Sequence, residues 1–109
     1  MSNPAELEEL KALCPGAQEI PEARQVYIFL PNLKLPAGCK PPQADALLCA
    51  HSREGYPTRL FLSQPVVGKG SNWNTHRIAD KTWHTWSWNY VSAEQRLIQI
   101  LLGHLEAFR

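Results

Sequence analysis

A chain of 109 residues, 44% hydrophobic and 19% charged, is long enough for one core and too apolar for a disordered tail. Eleven Lys and Arg against ten Asp and Glu leave a net charge of +1, which argues against a nucleic-acid domain with its basic stripe. No apolar run approaches the roughly 20 residues that span a bilayer, so no membrane partner is expected.

The start, MSNPAELEEL, is acidic and amphipathic, unlike a secretory signal. Three cysteines, Cys14, Cys39 and Cys49, form no CxxC pair, and an odd count suits free thiols in a reducing compartment. The expectation is one cytoplasmic α+β domain over 1–109.

Asn3 as cap, Pro4 in the first turn and Glu6 at the capping-box position predict a helix. Leu7, Leu10 and Leu13 or Cys14 form its apolar stripe, Pro15-Gly16 stops it, and 1–20 is read as helix and linker. Three strands follow in 25–65. Gln25–Leu30 ends at Pro31-Asn32, Asp45–His51 follows a loop dense in Pro and Gly, and Arg59–Leu62 follows the Gly55-Tyr56-Pro57 turn. Short connections predict an antiparallel meander.

From 66 to 90 the periodicity disappears. This stretch holds all four tryptophans and reads as a long irregular loop, usually functional when inside a compact domain. A last helix is predicted over 92–108, from a Ser92–Gln95 capping box and a Leu97, Leu101, Leu105, Phe108 face.

The order of these elements is that of the ubiquitin-conjugating fold. Leu35-Pro36-Ala37-Gly38, Ala46-Leu47-Leu48, Gly55-Tyr56-Pro57 and Phe61-Leu62-Ser63-Gln64-Pro65 resemble a compact bacterial branch of it, the prokaryotic ubiquitin-conjugating family E. Trp83-His84-Thr85-Trp86-Ser87 matches that branch's W-x-x-W-S signature, and the resemblance runs from Val26 to Phe108. It implies a compact UBC-like fold and acyl transfer of a ubiquitin-like protein. The implied partners are that protein, an activating (adenylating) enzyme and a deconjugating peptidase, with no nucleic acid. Two departures stand out. Eukaryotic conjugating enzymes carry His-Pro-Asn and a nucleophilic Cys in this loop, whereas 66–90 contains no cysteine. Trp86-Ser87 is followed by Trp88-Asn89 where the branch shows Arg-His.

Without that thiol, an oxyester would need a hydroxyl beside a base. The loop offers Ser71, Thr75, Thr82, Thr85 and Ser87, with His76 and His84 as bases and Asn72, Asn74 and Asn89 as oxyanion donors. Thr75 or Ser87 with His76 or His84 are the candidate catalytic residues. Such polar side chains also satisfy turn backbone. Trp73, Trp83, Trp86 and Trp88 are candidate partner-binding residues, or else core and loop anchors. Cys49 is expected in a strand interior, Cys14 in helix packing, and Cys39 as an exposed thiol beside Lys40. Neither the cysteines nor the histidines have the spacing of a zinc site, so neither a metal nor a cofactor is expected. Gly68-Lys69-Gly70 reads as a flexible lid and not a phosphate cradle, since no GK[ST] frame follows. Arg24, Lys34, Lys40, Arg53, Arg59, Lys69, Arg77 and Lys81 are scattered and read as solvated surface. The alternative to acyl transfer is an inactive module that binds or scaffolds the ubiquitin-like protein non-covalently.

Overall fold

The computed structural model describes residues 4–53, 55–88 and 91–109. Helix α1 spans Pro4–Leu13; its expected cap, Asn3, lies outside the described residues. Leu10 and Cys14 are buried and Leu7 packs against them, so the inward stripe ends on Cys14 while Leu13 turns out. Gly16 follows because a Cβ there would stand 2.6 Å from Pro31 Cγ.

Strands β1 (Gln18–Glu22) and β2 (Gln25–Lys34) form a hairpin where a linker was expected. Its turn residues, Ala23 and Arg24, both have positive φ, the requirement of the twisted two-residue hairpin turn. Neither is Gly or Asn, so the sequence carries no turn signal there. β2 also runs past Pro31-Asn32 through a bulge, held by the Asn32 N–H donating to Asp45 Oδ1 at 2.9 Å. β3 (Gln43–Cys49) and β4 (Arg59–Leu62) complete the predicted meander in antiparallel register.

The irregular-loop expectation for 66–90 is corrected. β5 (Asn74–Ile78) and β6 (Lys81–Thr85) form a second hairpin within it. Its turn, Ala79-Asp80, again has positive φ at both positions without glycine. Among the described residues the sheet has six strands in the order β1-β2-β3-β4-β6-β5. Helix α2 spans Leu97–Leu105 and runs into a 3₁₀ turn, Glu106–Phe108. It starts later than expected, because Ser92 Oγ accepts the Glu94 N–H in a local turn. Gln99 Oε1 takes the Arg96 N–H, and Glu6 of α1 takes the Leu97 N–H.

Alternation along the strands makes two cores. Ile28, Leu30, Ala46, Leu48, Leu60 and Leu62 face the helices, with Trp86 and Phe108. Tyr27, Leu47, Cys49, Phe61, Ile78 and Trp83 pack on the other face. That face is concave: the Glu22 carboxylate on β1 accepts the Ala79 N–H beyond β5, so the two edges of the sheet meet. Among the described residues no helix is long and apolar enough to cross a membrane.

Candidate functional site

The β5–β6 hairpin sorts the predicted site residues by face. Thr75 and His84 are cross-strand partners. Directly opposed side chains share one face within about 5.5 Å of each other at Cβ. Thr75 is exposed and His84 half-buried, so the hydroxyl and imidazole form one neighbourhood.

His76 points to the opposite, concave face, across from Trp83. Arg53 donates to its Nδ1 from Nε at 3.3 Å and approaches with Nη2 at 3.2 Å. An Nδ1 that accepts from a guanidinium leaves the proton on Nε2, which donates to Asn74 Oδ1 at 3.1 Å. Both ring nitrogens are committed, and Thr75 lies on the other face. The Thr75–His76 pairing is therefore corrected: the register selects His84.

Ser87 stands beyond the strand, its N–H donating to Ser71 O at 2.9 Å. Thr85 is fully buried, donates to Leu60 O at 2.9 Å and accepts from Arg59 Nε at 3.2 Å, so it is no free nucleophile. Asn89 lies outside the described residues.

The tryptophans divide. Trp83 and Trp86 keep only 3% and 2% of their surface exposed, so their assignment to a partner-binding surface is corrected to core. Trp83 Nε1 donates to Ile78 O, bracing its own hairpin. Trp86 packs on Phe108 at 4.5 Å between ring centres, with Trp73 stacked parallel to Phe108. Trp73 is half-buried, and its Nε1 donates to Lys69 O at 2.9 Å. The Gly68-Lys69-Gly70 turn, expected as a flexible lid, seats the indole of Trp73. Trp88 reaches solvent, anchored to Gly103 O at 3.0 Å.

A polar cluster that sequence reading missed lies toward one end of the concave face. Arg53 links His76 to the Tyr27 hydroxyl, which accepts at 2.9 Å, and lies against the Phe61 ring. Arg53 was expected in solvent and is half-buried; Arg59 was expected there too and is 3% exposed. Arg59 stacks on Tyr56 at 4.1 Å and donates to Trp86 O. The only sequence signal was the position of both arginines beside the Tyr-Pro turn.

Cys49 joins this cluster, its Sγ 3.4 Å from His51 Nε2 and donating to His51 O. The pair is not an activated thiolate–imidazolium. Burial pushes the Cys49 thiol up, and burial with the Arg53 charge pushes His51 down, so both are held neutral. Thr58 and His104 make a hydroxyl–imidazole contact at 2.8 Å. The Thr58 proton goes to Val91 O, so His104 Nε2–H is the donor there, the reverse of what a general base needs.

Cys39 was expected as an exposed thiol; it is 5% exposed and lies under Phe108, whose carbonyl accepts from it. Cys14 and Cys49 are buried as expected. Among the described residues no group of three His, Cys, Asp or Glu side chains could hold a metal ion. A polar cleft of about 360 Å³ opens where α1, the start of β2 and the segment before α2 meet, lined by Glu6, Arg24, His51, Gln95 and Leu97.

No family model, curated protein or solved structure matches this chain.

Proposed function

We propose that this chain is a conjugating-enzyme-like module of a bacterial ubiquitin-like modification pathway, holding the ubiquitin-like protein without a covalent bond. The resemblance of Leu35–Gly38, Gly55–Pro57 and Trp83–Ser87 to prokaryotic family E supports the pathway and its activating enzyme. The observation that carries the non-covalent reading is the burial of all three thiols, at 2%, 5% and 0% exposure. A thioester with a protein's C-terminus needs a thiol that the tail can reach and that ionises near neutral pH. Cys14 and Cys49 are held protonated by burial as well as covered.

One observation favours a covalent route instead. Thr75 is exposed opposite His84, so the second reading is transfer of the modifier's acyl group from a thioester on the activating enzyme to Thr75 Oγ1, His84 taking the hydroxyl proton and the activating enzyme's thiol leaving as the C–S bond breaks. Intact-protein mass spectrometry after incubation with activating enzyme, ATP and the ubiquitin-like protein separates the two. The first reading expects no adduct, with the partner co-eluting on size exclusion. An adduct that resists thiol reductant, falls to hydroxylamine and vanishes in Thr75→Ala supports the second. An adduct released by mild reductant overturns both.

A further inference from the structure

Helix α1, the end of β2, the Leu35–Ala37 turn and helix α2 enclose a second groove, of about 290 Å³. Leu13, Leu33, Leu35, Leu102 and Leu105 contribute to its lining, with Lys34 and Arg109. A hollow of about 350 Å³ against Pro36, Ala37 and Arg109 adjoins it. Two of these leucines have no internal role: Leu13 is 52% exposed and Leu102 40%, while their helices bury Leu10 and Leu101. Isolated exposed leucines are ordinary, but two opposed across one apolar trough are a patch.

Charge singles out the occupant. Among the described residues, both charged residues of the groove are cationic and no acidic residue lines it. Lys34 makes no ion pair among the described residues, and Arg109 meets only Glu106, at 3.7 Å, with both side chains more than half exposed. Such a contact is readily exchanged. A bilayer fits poorly, since its flat surface cannot enter a concave trough and two cations supply little attraction to anionic lipid. A two-fold pairing with a second copy would set Lys34 and Arg109 near their own equivalents.

We propose that this groove docks a short segment of a partner protein, one presenting two or more apolar side chains flanked by carboxylates. The apolar side chains would cover Leu13 and Leu102, and the carboxylates would meet Lys34 and Arg109. No groove residue belongs to the β5–β6 hairpin, so the surface is independent of whether a modifier is carried covalently.

The test uses the full chain and fluorescent synthetic peptides with leucines at helical or extended spacing, ended by Glu in one series and Lys in the other. Fluorescence anisotropy at low salt should show a Glu-ended peptide binding about tenfold tighter than its Lys counterpart. Leu102→Asp should weaken it about tenfold or more, and Leu102→Gln should do so less. Lys34→Glu with Arg109→Glu should invert the preference for peptide ends. Circular dichroism melting checks that each variant is folded. The proposal is overturned by any of four results: no binding in the Glu series, equal binding in both series, Glu-peptide affinity unchanged in Leu102→Asp, or a Leu102-dependent dimer in sedimentation. Leu102-dependent sedimentation with phosphatidylserine vesicles, without peptide binding, overturns it in favour of a lipid surface.

Discussion

His104 lies on α2 with 1% of its surface exposed, and its Nε2–H donates to Thr58 Oγ1 at 2.8 Å. Burial, with the Arg59 charge added, pushes its pKa from 6.5 to about 4. A folded pKa below the unfolded one means that the unfolded chain binds the extra proton between those values. The stabilisation is therefore fully present above pH 6.5 and is lost as pH falls toward 4, by about 3 kcal/mol for a shift of this size. Urea midpoints between pH 4 and 7 should fall steeply on the acid side in the parent chain. They should flatten in His104→Gln, whose amide nitrogen replaces Nε2 and does not titrate. An equal slope in both would locate the acid sensitivity elsewhere, with His51 the next group to test. Sequence gave no sign of this: His104 reads as one polar position on an amphipathic helix, and its Thr58 partner is 46 residues away.

At the scale of the element, the start of α2 depends on a neighbour. Its N-cap, Arg96, makes no side-chain cap of its own, and Glu6 Oε1 on α1 accepts the Leu97 N–H at 3.0 Å. Glu9 adds an ion pair with Arg96 at 3.1 Å, so the first helix caps the last. Glu6→Ala should cost about 1 kcal/mol, as loss of an ordinary N-cap does, while Glu6→Gln keeps an acceptor and should lose only the charge–dipole part, about 0.5 kcal/mol. Urea denaturation of both variants checks the order; no loss in either would mean that α2 caps itself. The expected box was Ser92–Gln95, because local spacing was the only visible cue; the working acceptor is 91 residues upstream. The same limit explains the strands. β2 was legible from its β-branched and aromatic run, and β3 and β4 from short apolar runs bounded by turn residues. β1 and β5 were not, because QEIPE and NTHRI are short and polar, and their turns use Ala-Arg and Ala-Asp where Gly or Asn would have signalled a hairpin. The candidate site was legible as a region and not as a constellation. Thr75 and His84 become neighbours only through the hairpin, which also turns His76 to the other face.

For the whole molecule, these two marginal strands are the edges of the sheet, where unpaired backbone invites association with other chains. β1 carries Pro21 and two glutamates, a composition that blunts an edge. The Glu22 carboxylate then crosses to the Ala79 N–H at the β5–β6 turn, drawing one edge toward the other and enclosing Phe61, Trp83 and the Arg53 cluster. This one charge-assisted contact joins segments 57 residues apart, and it is exposed, so its worth is about 1 kcal/mol. Its effect on dynamics should exceed its effect on stability, because opening it frees both edges without dissolving either core. Hydrogen exchange followed by NMR should show the Ala79 amide protected in the parent chain. In Glu22→Ala that amide should exchange about fivefold faster, matching the free energy of the lost contact, while the core amides of β3 and β4 exchange as before. Glu22→Gln, which still offers an oxygen, should fall between them. Unchanged protection at Ala79 in Glu22→Ala would mean that the hairpin holds its place through Trp83 and Ile78 alone, and that the sheet's curl is set by packing on its concave face and not by the contact between its edges.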